Sequence, residues 1–160
     1  MSTHEHDIQF LKRTVELSIA AKKSGNHPFG AILVGPDGDI LVEAGNTFAA
    51  DKGVGHAEAN VARIAATTYE WDFLEQCSLY TSVEPCCMCA GSAYWTGIGT
   101  IVFAVSERAL GDMTGDHPEN LTLDMPCESV FATGRRDIQV RGPFDELEKE
   151  VLAVHEGFWD

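Results

Sequence analysis

Near the amino terminus, apolar residues recur at the spacing of an amphipathic helix. Ile8, Leu11 and Val15 fall three or four residues apart, so their side chains share one face of a helix. This spacing predicts a surface helix over residues 7–24, which Gly25 ends. Its single apolar stripe indicates a helix that packs on a core with one side and faces solvent with the other.

The rest of the chain alternates short apolar runs with helical segments. The turn sequence Gly35-Pro36-Asp37-Gly38 separates two apolar runs and predicts a hairpin. The stretch 111–133 is polar and then mixed, which predicts a loop with one short helix. The other segments divide into predicted strands at 29–34, 39–44, 78–83, 100–105 and 138–140, and predicted helices at 56–68, 86–96 and 144–155.

A hairpin followed by strands that alternate with helices predicts an α/β fold, with a mixed sheet of about five strands covered on both faces. The chain has 160 residues and no repeat or linker, so residues 1–160 are expected to form a single domain. No run approaches the roughly 20 apolar residues that span a bilayer. The first residues lack the pattern of a signal peptide, and we expect a cytoplasmic protein.

The charge balance restricts the class of partner. There are 25 Asp and Glu against 11 Lys and Arg, a net charge of −14 at pH 7. Proteins that bind nucleic acids neutralise phosphates with Lys and Arg. We therefore expect a small, roughly neutral substrate, with neither a nucleic acid nor a membrane as partner. The five cysteines are an odd number, which argues against a disulfide scaffold and fits a reducing compartment.

Two short motifs carry the chemistry, His56-Ala57-Glu58 and Pro85-Cys86-Cys87-Met88-Cys89. One imidazole and two thiols suit tetrahedral zinc, and three protein ligands leave one position open for water, as in catalytic sites. We therefore expect His56, Cys86 and Cys89 to bind Zn²⁺. Water at zinc still needs a base and an acid, which is the role expected for Glu58.

Each of these residues also has an ordinary structural interpretation. His56 can be a satisfied histidine, and the cysteines can be buried thiols. Cys87 has the wrong separation from its neighbours for a shared metal and is expected in the core. The non-catalytic alternative for the whole chain is a zinc-stabilised binding or scaffold protein. Glu58 argues against it, because a structural site needs no base and normally has a fourth protein ligand.

The two motifs, in this order and spacing, resemble those of the cytidine deaminase superfamily. The resemblance covers nearly the whole chain, from Asn26-His27-Pro28-Phe29-Gly30-Ala31 through Gly45-Asn46 to Ala93-Tyr94-Trp95. The segments Pro-Phe-Gly-Ala and Tyr-Trp are most similar to bacterial guanine deaminase. The resemblance implies a three-layer α/β/α sandwich, in agreement with the order of the predicted elements. We also expect a homodimer.

The resemblance implies hydrolytic deamination of a free nucleobase or related heterocyclic amine. The first expectation is conversion of guanine to xanthine with release of ammonia, in which Glu58 moves protons from water to a ring nitrogen and then to the leaving amine. Cytosine is the next candidate, followed by a pterin or triazine amine. A tRNA adenosine deaminase should also carry a basic face, which the net charge disfavours.

Five residues are expected to contact the substrate, with weaker support than the zinc motif. Phe29 can stack on a planar base, Asn46 offers an amide donor and acceptor, and the resemblance implies a role for the Ala57 N–H. Trp95 resembles a pocket tryptophan of guanine deaminases, and Asp116 lies where those enzymes carry an acid facing the base. Structural roles stay open: a strand for Phe29, a turn for Asn46, the core for Trp95 and solvent for Asp116.

The last four residues, Gly157-Phe158-Trp159-Asp160, place two aromatic side chains on a terminal segment. Such side chains would normally fray into water, so we expect them to pack on something. One hypothesis is a lid that closes over the bound base. The alternative is packing in the core or in a dimer interface.

Overall fold

The apolar runs build a five-stranded sheet in the computed structural model, which describes residues 1–160. The strands are β1 (Gly30–Val34), β2 (Ile40–Gly45), β3 (Ser78–Val83), β4 (Thr100–Val105) and β5 (Gln139–Arg141). Their order across the sheet is β2-β1-β3-β4-β5. β1 is antiparallel to β2 and β3, whereas β4 is parallel to both β3 and β5. The predicted mixed sheet of about five strands is confirmed.

Eight helices connect and cover these strands. They are α1 (Thr3–Lys23), α2 (Phe48–Asp51), α3 (Ala57–Thr68), α4 (Trp71–Leu74), α5 (Cys87–Thr96), α6 (Glu107–Thr114), α7 (Cys127–Phe131) and α8 (Asp145–His155). A 3₁₀ turn, Lys52–Val54, follows α2. None of the helices has the length and apolar character that crossing a bilayer requires.

Alternating side chains of the central strands feed two hydrophobic cores, one on each face of the sheet. Ala31 and Leu33 of β1 belong to the core that contains α3, α5 and α7. Ile32 and Val34 belong to the other, which contains α1, α6 and α8. Because successive strand residues point to opposite faces, strands β1, β3 and β4 are buried on both sides. The three-layer α/β/α architecture is therefore confirmed.

The main differences from the predicted elements lie at helix starts. α1 begins at Thr3 rather than near residue 7, because Ser2 and Glu5 form a reciprocal capping box. α6 was not predicted, although Ser106 caps it by accepting a hydrogen bond from the Ala109 N–H at 3.1 Å. The short helices α2 and α4 were also not predicted, since one helical turn leaves too few positions to show a period.

A buried ion pair ties the first helix to the sheet. Asp7 is only 1% exposed and accepts hydrogen bonds from the Tyr80 hydroxyl at 2.6 Å and from the Arg141 guanidinium at 2.7 and 3.0 Å. These contacts link α1 to β3 and β5. The ionised carboxylate satisfies both partners, so the network fixes how α1 lies across the strands.

Candidate active site

Two helix N-termini bring the zinc-motif side chains together. His56 immediately precedes α3 and Cys86 immediately precedes α5, and both helices pack on the same face of the sheet. Cys89 lies in the first turn of α5, three residues after Cys86, so the two thiols point the same way. The Sγ atoms of Cys86 and Cys89 lie 3.5 Å and 3.4 Å from Nδ1 of His56.

The geometry of this cluster fits zinc. Its three ligand atoms lie within 4.8 Å of one another. In a tetrahedral site with bonds of ~2.1 Å to nitrogen and ~2.3 Å to sulfur, the nitrogen and sulfur atoms are about 3.6 Å apart. Hydrogen bonds with Cys89 and His56 lower the pKa of Cys86 to about 4, which favours the thiolate that binds metal. No fourth side chain joins the cluster, so one coordination position is left for water.

Glu58 lies beside the cluster, two residues after His56. It is 5% exposed, and its carboxylate accepts a hydrogen bond from the Thr81 hydroxyl, which fixes its orientation from β3. Burial raises the pKa of Glu58 above its ordinary value. A carboxyl group held in place with a raised pKa suits a residue that both takes and returns protons.

A cavity of about 240 Å³ opens in front of these residues. This volume lies below the roughly 300–1,000 Å³ of pockets for drug-sized ligands, which favours a single heterocycle. The cavity has a metal wall that contains His56, Glu58 and Cys86, and a side wall formed by His27 and Phe29. No Lys or Arg lines it. A phosphate group on a ligand would therefore find no cationic partner.

The third wall is an irregular connection between α6 and α7, residues 115–126, here termed the covering segment. Its residues 119–123 line the cavity. Polar contacts hold it: Glu119 Oε1 lies 2.8 Å from Nε2 of His27, and Arg108 donates to Asp124 at 3.1 and 3.2 Å. Leu121 and Leu123 are 69% and 54% exposed. The segment is therefore fastened mainly by hydrogen bonds and ion pairs rather than by buried apolar side chains.

Three of the five expected substrate contacts lie at or next to the cavity. Phe29 lines it. Asn46 lies behind the side wall, where its Oδ1 accepts from the N–H groups of His27 at 3.2 Å and Phe48 at 2.8 Å, while its buried Nδ2 has no partner. Ala57 begins α3, so its N–H has no acceptor within the helix. Asn46 thus offers an unused donor next to His27 of the side wall, and Ala57 offers one next to His56 of the metal wall, although neither residue lines the cavity.

Trp95 and Asp116 do not line the cavity, contrary to expectation. Trp95 is 79% exposed, so the core alternative for it is wrong. It follows Cys86 by nine residues, which at ~100° per residue places it on the opposite side of α5. Asp116 is exposed and follows Gly115, which ends α6 with a φ of 55°.

Three acids that were not predicted line the cavity instead, Glu84, Glu107 and Glu119. Glu107 is 7% exposed, and its carboxyl group makes no hydrogen bond within the chain. Burial, followed by the nearby Cys86 and Glu58, raises the pKa of Glu107 to about 8. It can therefore donate as well as accept a hydrogen bond near neutral pH. Neither Glu107 nor Glu119 belongs to a spaced motif, so no sequence pattern pointed to them as cavity residues.

The C-terminal residues pack behind the side wall rather than over the cavity. Trp159 is 6% exposed, and its Nε1 donates to Nδ1 of His155 at 3.1 Å. Its ring meets those of His27 at 4.9 Å and His117 at 5.2 Å, measured between centroids. The alternative prediction, in which the segment packs against the protein, therefore describes residues 157–160. The segment supports the side wall of the cavity instead of forming a lid.

Deleting residues 157–160 is expected to destabilise the fold as well as to raise KM. Loss of a buried Trp side chain costs about 3–5 kcal/mol, which lowers Tm by roughly 6–20 °C for a chain of this size. KM should rise, because His27 loses the ring that supports it. Thermal unfolding and steady-state kinetics measure both effects, with deletion of the exposed Asp160 alone as the control. An unchanged Tm together with a reduced kcat would instead support the lid hypothesis.

Comparisons with known proteins agree with the geometry. The family model for the cytidine and deoxycytidylate deaminase zinc-binding region matches residues 4–105. A probable cytosine deaminase from Schizosaccharomyces pombe is 33% identical over 98% of this chain and 94% of its own. A guanine deaminase from Bacillus subtilis is 38% identical over 61% of this chain and 64% of its own. The solved structure of a guanine deaminase from Nitrosomonas europaea superposes with a TM-score of 0.72 at 22% identity, over 92% of this chain and 81% of its own.

Proposed function

The chain belongs to the family of cytidine and deoxycytidylate deaminases, and we propose that it converts free guanine and water to xanthine and ammonia. It is a zinc-dependent hydrolytic deaminase of the nucleobase type. The observation that carries the choice of guanine is the mixture of hydrogen-bonding groups around the cavity. The carboxyl groups of Glu107 and Glu119 line the cavity. Outside this lining, Asn46 Nδ2 has no partner, and the Ala57 N–H at the start of α3 adjoins His56.

Guanine presents a matching set of groups. Its ring carbonyl accepts hydrogen bonds, and its ring N–H groups donate them. We propose that Asn46 Nδ2 and the Ala57 N–H bind the carbonyl, while the pocket acids accept from the ring N–H groups. A site built from such groups strongly rejects analogues that leave them unpaired, because unsatisfied buried polar groups are costly. Phe29 is proposed to contact the face of the base.

Glu58 carries the protons in this proposal. His56, Cys86 and Cys89 would hold zinc, and bound zinc supplies a nucleophile at neutral pH by lowering the pKa of water from ~16 to near 7. Glu58 takes a proton from the water and delivers it to the ring nitrogen next to the amine-bearing carbon, while the water oxygen bonds to that carbon. It then moves the proton of the newly attached hydroxyl to the exocyclic amine, so the C–N bond breaks, ammonia leaves and a carbonyl takes its place. Thr81 keeps the carboxylate directed toward the reacting atoms.

The second candidate substrate is cytosine, which the S. pombe relative favours because the similarity covers nearly all of both chains. Nucleotides and tRNA are disfavoured, since no Lys or Arg lines the cavity and the net charge is −14. The expected homodimer and the expected cytoplasmic location stay predictions.

An ammonia-release assay with the zinc-loaded protein tests the substrate. We expect kcat/KM for guanine to exceed that for cytosine, adenine, guanosine, cytidine and deoxycytidylate by at least about 10-fold, since one well-made polar contact is worth ~1.4 kcal/mol or more. The value should change little between low and moderate salt, whereas tRNA binding falls steeply with salt.

The zinc-loaded Glu58→Gln protein supplies the background rate for this assay. Faster turnover of cytosine than of guanine would replace the proposed substrate with the second candidate. Turnover of tRNA or of deoxycytidylate alone would contradict the argument from a cavity lining without Lys or Arg and from the net charge.

A further inference from the structure

We propose that Glu84 is a positioning residue that holds the two helices flanking the covering segment to the metal wall. Glu84 lies two residues before Cys86 and is 7% exposed. The proposed role of Glu84 applies to deamination of any base. It therefore does not depend on guanine being the substrate.

Both carboxylate oxygens of Glu84 are engaged by backbone N–H groups of the flanking helices. Oε1 accepts from the Glu107 N–H at 3.0 Å, and Oε2 accepts from the Cys127 N–H at 2.8 Å. Glu107 is the first residue of α6 and Cys127 is the first residue of α7. Such N–H groups have no partner within their own helix, so one side chain satisfies a donor on each.

These two helices flank the covering segment: Glu107 lies at the start of α6, eight residues before the segment, and Cys127 directly follows it. Glu84 itself is fixed to the sheet, because its N–H donates to the Val105 carbonyl at 2.7 Å. The turn that presents Cys86 to the metal is therefore bonded directly to both helices that flank the opposite wall of the cavity.

The polar character of the covering segment makes this attachment important. Leu121 and Leu123 are largely exposed, so little apolar burial holds residues 119–123 in place. The contact between His27 and Glu119 restrains the middle of the segment. If the flanking helices loosen, the closed cavity is populated for a smaller fraction of the time, and the apparent Kd for the base rises in inverse proportion to that fraction.

The contacts also distinguish Glu84 from the acids that can exchange protons with a substrate. Each of its oxygens already accepts a charge-assisted hydrogen bond from the backbone. Glu107, by contrast, presents a carboxyl group without a partner to the cavity. A change at Glu84 should therefore alter how firmly the cavity closes, and leave proton transfer by Glu58 in place.

Glu84→Gln tests the proposal, because the amide can accept from one of the two N–H groups but not from both. In the zinc-loaded protein we expect KM for the best substrate to rise about 10-fold, with kcat changed less than about 3-fold and zinc content unchanged; leaving a buried donor unpaired has a cost of this order. Residue-resolved amide exchange should show faster exchange at Glu107 or Cys127, whether or not any base is turned over.

Glu128→Gln is the matched control, since it removes the same charge from the exposed face of α7 and should change neither KM nor exchange. Unchanged KM and unchanged exchange in Glu84→Gln would overturn the proposal. If the Glu84→Gln protein fails to fold, amide exchange in the unaltered protein tests the proposal instead. The Glu107 and Cys127 amides must then exchange more slowly than those of residues 119–123, and equal rates would overturn it. Failure of guanine turnover in the unaltered protein would contradict the proposed substrate only.

Discussion

Replacing Glu58 with Gln is expected to lower kcat by about 10⁴-fold or more, while zinc binding and folding stay intact. Gln preserves the shape of the side chain and can still accept the Thr81 hydrogen bond, but it cannot take or deliver a proton. General acid–base catalysis contributes ~10²–10⁴-fold per proton transfer, and Glu58 is proposed to serve several. Ammonia release, zinc content by mass spectrometry and thermal unfolding measure the three quantities separately.

Glu70→Gln provides the matched control for this variant, since Glu70 is exposed and makes no capping hydrogen bond at the start of α4. It should retain full turnover. If the Glu58 variant turned over substrate at a rate near that of the unaltered enzyme, another acid of the cavity would be the base. Glu107 and Glu119 would then be the residues to replace next.

Replacing Cys89 with Ala is expected to abolish stoichiometric zinc binding and to destabilise the chain. The ligand cluster joins the N-termini of α3 and α5, so bound metal stabilises the packing of both helices on the sheet. A ligand that binds only the folded state at about 1,000 times its Kd contributes ~4 kcal/mol to the free energy of unfolding. Zinc content and unfolding with and without added zinc measure the effect, and added zinc should no longer raise Tm.

Cys87→Ala tests whether this loss is specific to the ligand positions. Cys87 lies between the two proposed ligands but does not belong to the cluster, so its replacement should leave one zinc per chain. Full zinc occupancy in the Cys89→Ala protein would contradict the ligand assignment. Equal loss of zinc in both variants would indicate a general disturbance of the first turn of α5.

The parts of the fold that local sequence determines were predicted well. The strands at 78–83 and 100–105 match β3 and β4 at both ends. β4 is buried on both faces and is a nearly continuous apolar run, whereas β3 carries Thr81 and Ser82 among its apolar residues. The zinc cluster was equally accessible to prediction. Two thiols that share a metal must lie on one side of a helix turn, and this requirement fixes their spacing in the sequence.

The third wall of the cavity could not be predicted, because contacts distant in sequence determine it. Glu119 meets His27 across 92 positions, and Glu84 meets Cys127 across 43. Neither pairing leaves a periodic signal. Trp95 is a different case, since its place on the far side of α5 follows from counting residues from Cys86. Trp95 was nevertheless expected to contact the substrate, because it resembles a pocket tryptophan of guanine deaminases.

The closeness of the two ligand thiols has a consequence for the redox behaviour of the chain. All five cysteines are free thiols, and Cys86 and Cys89 lie against the same imidazole nitrogen. While zinc holds both sulfurs, neither is open to oxidants. Once a chelator has removed the zinc, a thiolate with a neighbouring thiol can be oxidised to a disulfide. The disulfide cannot bind zinc. In air, reversible loss of zinc would therefore become a lasting loss of activity, which only a reductant such as a dithiol reverses.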